Sequence, residues 1–568
     1  MSDELKHECA VAMVVLRKPA SATSDYGGTK LSLLLEKQHN RGQDGAGAAI
    51  IRANPEPGEM PYWVAKSASS TPLADILGAI GKRTCGKDER IFLGHLRYAT
   101  FGKNEVAFCH PFVHEASELA NTVLLAGNFN LTNTAALFER YRSEGEFPTS
   151  RADGYLVCEM IAHELRSAAY GGSLLRAVEK ALAGADGAWT LCGATADGRA
   201  FALRDAHGIR PGWYFINDDV VVVASERPAI QAAFDVPPEA VKELPRGVAL
   251  TVSPTGGVEF VQVLPPAPAR ECVFERIYFS RANDAAIHRE RMALGAALVP
   301  DVLKAADSPL EDIFFSYIPN SARTAFHGLL EALFVECLTQ SSQSPQSEKL
   351  EATSRSLRTS RATFIPRFGE VIVKDAKFRT FIADAAARRE FYKHVYDVTY
   401  GLVRTGRDTL VVLDDSIVRG NTMKSAILPM LDRLGPKRIV VASSAPPIRY
   451  PDCYGIDMST LGELVAFKAL VKLLGDAASS CLRTRPLPEL YSQFTGEQHC
   501  AEIANLLTPP GMKAEVKVVF QSLEALRESC PGSRGDWYFT GDYPTPGGCK
   551  VLATAVENYL ERNNGRSY

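Results

Sequence analysis

The sequence predicts two folded halves of different class, an α+β half built on antiparallel sheets followed by an α/β half built on a parallel sheet. Three observations carry this. The first half contains short apolar runs close together in sequence, CAVAMVVL (9–16), RIFLGHLRY (90–98), TVLLAGNFNL (122–131), AWTLCGAT (188–195), AFALRD (200–205) and VVVVAS (220–225), with amphipathic stretches such as LSLLLEKQHN between them; neighbouring strands of this kind pair antiparallel. Past residue 300 the apolar runs IFFSYI (313–318), TLVVLDD (409–415) and RIVVASS (438–444) alternate with helical stretches, TAFHGLLEALFVE and NTMKSAILPMLDRLG, which is the crossover pattern of a parallel sheet. The Pro-rich VLPPAPAREC (263–272) separates the two patterns.

Bulk properties narrow the function. At 568 residues the chain exceeds one hydrophobic core. A net charge of −3 gives no global basic surface for nucleic acid, although a local patch can still collect a phosphorylated small molecule. The twelve cysteines include no CxxC pair, which argues against a zinc ribbon, a dithiol redox site and a disulfide scaffold. No apolar run approaches the roughly 18 residues of a membrane span, and the charged leader MSDELKHE has no apolar core, so it does not read as a secretory signal. The reading is therefore a cytoplasmic protein with reduced thiols. QSSQSPQSEKLEATSRS (340–356) reads as a surface insertion. GKRTCGK (81–87) fits part of a phosphate-binding loop but puts Asp88 where a hydroxyl is needed, and is set aside.

Two stretches carry chemistry. In TLVVLDDSIVRGNTMKSAILPML (409–431) an apolar strand delivers Asp414 and Asp415 to the carboxyl edge of the sheet, where ligands of α/β proteins sit. A pair of acids alone commonly just ends a strand. Here the turn SIVRGNT and a helix start follow at once, and the amides and dipole of a helix N-terminus suit a monophosphate, while the acids can hold ribose hydroxyls directly or through Mg²⁺. The second stretch is ECAVAMVVL: a lone cysteine near an N-terminus is usually a small buried hydrophobe, and Cys9 needs company to be more than that.

That company is a resemblance. VVLDDSIVRGNT, with CVFERIYFSRAND (272–284), RERMALGAAL (289–298), YIPNSARTAFHG (317–328), VIVKDAKFRTFI (371–382) and SSAPPIRYPDCYGIDMST (443–460), resembles the phosphoribosyltransferase half of the glutamine phosphoribosylpyrophosphate amidotransferases. QHNRGQDGAG (38–47), GHLRYAT (94–100), GNFNLTN (127–133), RADGY (151–155) and RDAHGIRPGWYF (204–215) resemble, in order, that family's glutaminase motifs. The resemblance implies an N-terminal-nucleophile glutaminase domain of αββα sandwich form at 9–265, a type I phosphoribosyltransferase domain at 266–500, a propeptide at 1–8 and a C-terminal extension at 501–568 packing on the core. It implies ammonia production from glutamine and its transfer to C1 of phosphoribosyl diphosphate, giving phosphoribosylamine and pyrophosphate, the first step of purine synthesis.

By the same resemblance Cys9 is the nucleophile, freed by cleavage of Glu8–Cys9 to use its own α-amine, of pKa about 8, as base. Asn128 and the backbone N–H of Phe129 form the oxyanion hole, Arg97 takes the glutamine α-carboxylate and Asp153 its α-ammonium. Ser321, Asp414 and Asp415 are the Mg²⁺-associated residues; Arg419, Gly420, Asn421 and Thr422 cradle the 5-phosphate; Lys374 and Arg379 lie on the loop that closes over pyrophosphate. Departures from the family pattern are Phe129 for Gly, Ala99 for Pro, Asn320 for Asp, an extra Asn40 in the QHRGQ-like motif, and the stretch 381–401. Some members hold a 4Fe–4S cluster through four cysteines, but only Cys272 and Cys453 align here, with Gly535 and Tyr538 at the other two positions. No cluster is expected, because two thiolates cannot complete it. Purine nucleotide inhibitors and a homo-oligomer are implied partners, with no nucleic acid and no membrane. The competing readings are another glutamine amidotransferase, which the DDSIVRGNT segment disfavours, and a sensor with a dead glutaminase, which intact Cys9, Arg97, Asn128 and Asp153 disfavour.

Overall fold

A computed structural model describes residues 8–18, 25–83, 88–99, 105–167, 172–342, 365–374, 396–456 and 458–563. Arg379, residues 1–7 of the expected propeptide, most of the 340–356 insertion and most of the 381–401 stretch lie outside them.

The first half forms two antiparallel sheets from β1 (Ala10–Leu16), β2 (Gly45–Arg52), β3 (Tyr62–Ser67), β4 (Glu89–Arg97), β5 (Phe112–His114), β6 (Val123–Leu131), β7 (Gly187–Thr195), β8 (Ala200–Arg204), β9 (Trp213–Ile216), β10 (Val220–Ala224), β11 (Lys242–Glu243), β12 (Val248–Val252) and β13 (Val258–Gln262). One sheet runs β11-β9-β10-β1-β4-β2-β3 and the other β13-β12-β8-β7-β6-β5. β1 shows why the layers form. Val11, Met13 and Val15 pack between the sheets against Leu124 and Ala126, while Ala10, Ala12, Val14 and Leu16 pack outward with Leu31, Leu34 and Leu35 of helix Tyr26–Lys37. A strand buried on both faces reads as a continuous apolar run, whereas its period of two decides which layer each residue serves. Helix Asp153–Arg166 covers the second sheet's outer face, completing the expected αββα sandwich. Pairing of Ala10 with Leu96 sets Cys9, at the strand's entrance, beside the end of β4.

The second half is built on a parallel sheet, β15-β14-β18-β19-β20, from β14 (Ile313–Tyr317), β15 (Arg367–Phe368), β18 (Thr409–Asp414), β19 (Arg438–Ser443) and β20 (Glu515–Phe520), with a separate ribbon of β16 (Ile372–Lys374) and β17 (Tyr396–Val398). Leu410, Val412, Ile439 and Val441 pack on one face and Val411, Leu413, Val440 and Ala442 on the other. The boundary expected at 500 differs from the structure. It cuts helix Gly496–Leu507, and β20 beyond it pairs in parallel with β19 as the sheet's edge strand. β20 is only half buried, so it lacks the apolar run that identifies its neighbours.

Beyond β20, helices Trp537–Thr540 and Pro546–Leu560 join a core that spans both halves, with Ala188 and Ile209 from the first and Phe274, Tyr454, Trp537 and Tyr538 from the second. Polar clamps reinforce the junction. Asn130 Nδ2 donates to Cys453 O at 2.7 Å, and Asp186 accepts from Thr545 Oγ1 at 2.6 Å and from Gly547 N at 2.8 Å.

Candidate functional site

The first site opens where β1 begins and β4 and β6 end. Cys9, Arg97, Phe129 and Asp153 line one cavity of about 220 Å³, together with Phe108, His110, Asn130 and Arg151. Tyr98 N donates to Cys9 Sγ at 3.2 Å, tying the thiol to the end of β4. Burial pushes the Cys9 thiol up to about 11, against the lowering effects of the Tyr98 amide and Arg97. The thiol is therefore neutral at pH 7 and needs a base to react. The Arg97 guanidinium lies over the Phe108 ring at 5.9 Å, and Asp153 opens helix Asp153–Arg166, where its Oδ1 accepts from Gly154 N at 2.9 Å. Asn128 is buried between the wall residues Gly127 and Phe129, and its Nδ2 has no hydrogen-bond partner among the described residues. A buried donor left unpaired costs free energy.

Behind the nucleophile, Glu8 is buried and anchored twice. Its carbonyl accepts from Gly42 N at 3.0 Å, and its carboxylate is paired with Arg210 and lies 3.7 Å from Arg41. Arg41, wholly buried, also donates to Glu226 at 2.6 Å and Glu275 at 2.5 Å. This cluster of two guanidiniums and three carboxylates sits where the two halves meet. It works as a unit, since buried charges are stable only when paired.

The second site is a cavity of about 360 Å³ at the carboxyl edge of the parallel sheet, lined by Ser321, Lys374, Asp414, Asp415, Arg419, Gly420 and Thr422 among others. Asn421 is exposed on the same turn and stands off the wall. Burial first, and the adjacent carboxylate second, push Asp414 well above the ordinary range; Asp415 is raised as well, by burial, although Ser321 and Ser416 donate to it. Two acids crowded together in this way favour a shared proton or a bound cation. Gly420 takes φ +78°, and a Cβ there would come within 2.3 Å of Leu507 Cδ2. Arg419 Nε donates to Glu463 Oε2 at 2.7 Å, and Lys374 Nζ lies over the Tyr396 ring at 5.8 Å.

No protein-family model matches the chain. It is 27% identical over 388 residues, 67% of this chain and 74% of the other, to an amidophosphoribosyltransferase of Archaeoglobus fulgidus. It is 26% identical over 464 residues, 78% and 86% of the two chains, to one of Methanocaldococcus jannaschii, and 26% identical over 485 residues, 83% and 84%, to one of Synechocystis. The chain is related to the amidophosphoribosyltransferases. Its fold matches that of a glutamine phosphoribosylpyrophosphate amidotransferase of B. subtilis, solved with ADP and GMP, at a TM-score of 0.66 with 23% identity, covering 94% of this chain and 97% of that one. A second solved structure, described as the allosteric regulatory enzyme of purine biosynthesis, matches at 0.66 with 24% identity, covering 94% and 96%.

Within this relationship the thiol positions have their own packing. Cys272 and Cys453 are buried, Cys272 Sγ lies 3.4 Å from the Tyr538 hydroxyl, and that hydroxyl accepts from Phe274 N at 2.7 Å. A Cβ at Gly535 would come within 2.5 Å of Glu271 O. These residues do not fit a four-thiolate cluster, since an aromatic hydroxyl and a glycine stand where two thiolates would be needed. Sequence reasoning missed several wall residues. His110, stacked on His95 at 4.0 Å, accepts from Gly127 N at 3.2 Å in the first site; Asn40, Tyr278 and Tyr396 line the second. The extra residue in QHNRGQ was the only visible signal for Asn40, and nothing local marked the others.

Proposed function

We propose that the chain is a glutamine-dependent amidophosphoribosyltransferase. The reading is carried by one observation: a cavity walled by Cys9, Arg97, Phe129 and Asp153 and a second walled by Asp414, Asp415 and the Arg419–Thr422 turn lie in the same chain, on two halves joined by one core. After cleavage of Glu8–Cys9 the α-amine of Cys9 takes the thiol proton and the sulfur attacks the glutamine carboxamide. Asn128 Nδ2 and Phe129 N–H hold the oxyanion, Arg97 the α-carboxylate and Asp153 the α-ammonium. The protonated amine returns its proton to the departing nitrogen. Ammonia leaves, and water hydrolyses the thioester to glutamate.

In the second site ammonia attacks C1 of phosphoribosyl diphosphate. The C1–O bond breaks, pyrophosphate departs with the electron pair, and the new amine sheds one proton. Asp414 and Asp415, with Ser321 beside them, would hold Mg²⁺, which when bound neutralises the leaving pyrophosphate. The Arg419–Thr422 turn takes the 5-phosphate, and Lys374 adds positive charge over pyrophosphate. A cytoplasmic homo-oligomer inhibited by purine nucleotides belongs to the same reading; the ADP and GMP bound to the B. subtilis protein support the nucleotide part of it alone.

Intact-mass measurement together with pyrophosphate release, driven by glutamine or by ammonium, tests the proposal. A mass lacking residues 1–8, with release from both nitrogen sources, is expected. A full-length protein that is fully active with glutamine would overturn the processed nucleophile, and absence of release from either source would overturn the activity.

A further inference from the structure

Glu8 precedes the nucleophile and leaves the chain in the proposed maturation, yet it is only 1% exposed and is held at both its carbonyl and its carboxylate. The carbonyl accepts from Gly42 N at 3.0 Å. That approach requires a glycine, since Gly42 takes φ +46° and a Cβ there would come within 2.3 Å of the Leu96 backbone. The carboxylate is paired with Arg210, a buried guanidinium that forms an ion pair with no other carboxylate among the described residues. Its Nε and Nη2 have no hydrogen-bond partner among them. A buried charge is costly unless paired, so Arg210 depends on the acid that Glu8 supplies. Both halves build the surroundings. Arg41, 3.7 Å from the Glu8 carboxylate, is held by Glu226 of the first half and by Glu275 of the second, to which Ser280 Oγ donates at 2.8 Å. Gly455 of the second half lies against Arg210, where a Cβ would come within 2.6 Å of Nη2.

We infer that Arg210 and Arg41 form a recognition pocket for the side-chain carboxylate of residue 8, and that this pocket, with Gly42 N–H, aligns the Glu8–Cys9 peptide for cleavage by the chain's own thiol. The inference rests on the processed nucleophile proposed above and adds to it the residues that select the bond. Cys9 Sγ attacks the Glu8 carbonyl carbon, and Gly42 N–H, bonded to the carbonyl oxygen, holds the negative charge that develops there. The C–N bond then breaks, the thiol proton passes to the departing nitrogen, and the acyl group rests on sulfur as a thioester. Water from the first cavity, which Cys9 lines, hydrolyses the thioester, releasing residues 1–8 with a new α-carboxylate and restoring the thiol. Anchoring Glu8 at both groups keeps its carbonyl carbon in place for the neighbouring sulfur, and fixed geometry is what makes an intramolecular attack effective. Because Glu275 and Gly455 belong to the second half, the pocket is complete only when the two halves have docked.

Cell-free synthesis followed by intact-mass measurement over time tests this on wild type, Glu8→Ala, Glu8→Gln, Glu275→Gln and Cys9→Ala. Residue 8 is absent from the cleaved chain, so its substitution changes the rate of cleavage and not the enzyme that results. Both Glu8 variants are expected to be cleaved about 10- to 100-fold more slowly than wild type, the equivalent of one hydrogen bond to a charged partner, with the cleaved fraction hydrolysing glutamine at the wild-type rate. Glu275→Gln should be slowed in the same direction, and Cys9→Ala should stay full length. Ammonium-driven pyrophosphate release by the uncleaved samples, expected within about twofold of wild type, reports that they have folded. Wild-type cleavage rates in both Glu8 variants would overturn the pocket, and a wild-type rate in Glu275→Gln would remove the second half from it. Cleavage of Cys9→Ala would overturn the thiol as the agent. Loss of ammonium-driven release together with cleavage in both Glu8 variants would reduce Glu8 to a structural residue. A wild-type chain that stays full length defeats the processed nucleophile and this inference together, whereas a wild type cleaved no faster than both Glu8 variants defeats only the inference.

Discussion

The two cavities differ in what holds their chemistry in check. Around Cys9 the side chains are already placed by β1, β4 and β6, and the restraint is covalent: the nitrogen that would serve as base is an amide to Glu8, and burial keeps the thiol protonated. Around Asp414 and Asp415 nothing covalent is missing. The restraint there is electrostatic, two acids crowded together at the edge of the sheet. In the proposed mechanism the first site is switched once, by cleavage of a peptide bond, whereas the second is switched each time cation and substrate bind.

Four substitutions probe that contrast, beginning with the greatest effect. Cys9→Ala should abolish glutamate formation while ammonium-driven pyrophosphate release stays within about twofold, measured on one preparation; loss of both would mean that the sites are not separable. Asn128→Ala should lower kcat for glutamine hydrolysis by about 100- to 1000-fold with little change in KM, as expected for one oxyanion donor. Steady-state kinetics with a raised KM and intact kcat would instead place Asn128 in ground-state binding.

Asp414→Asn should reduce pyrophosphate release on the order of 100-fold, through weaker use of the cation. It should also act on stability. Because Asp414 titrates above its ordinary value near 3.8, the folded protein binds more protons than the unfolded chain between that value and the raised one. Stability therefore falls as pH rises through this window. Without Mg²⁺ the asparagine variant should melt higher than wild type at pH 7, and the gap should close toward pH 4; a gap that widens on acidification would refute the raised titration. Smallest is Gly420→Ala, which meets Leu507 and a left-handed φ and should cost about 1–2 kcal/mol, read as a lowered Tm with weakened binding of phosphoribosyl diphosphate.

How much of this was legible in the sequence follows the range of the interactions. β1 and β18 were readable because a strand's burial is written in consecutive residues, and the DDSIVRGNT turn because strand, acids and helix start are contiguous. The Arg41 cluster was not: Arg41, Arg210 and Glu275 lie in stretches that carry the resemblance, but Glu8, Arg41, Arg210, Glu226 and Glu275 are widely separated and nothing local shows that they pair. β20 escaped because an edge strand needs apolar partners on fewer sides. Asn40 was visible as an irregularity, but only packing of the two halves gave it a cavity to face.

The clamp on Asp186 bears on the order in which the chain leaves the ribosome. Its partners Thr545 and Gly547 are synthesised 359 and 361 residues later, and the aromatic rings that seal the junction also follow it in the chain. The glutaminase half must therefore wait through most of translation with the apolar residues Ala188 and Ile209 uncovered. A chain released before its final helix would carry two nearly finished domains and an open seam, a product that cellular quality control could recognise by its exposed apolar surface.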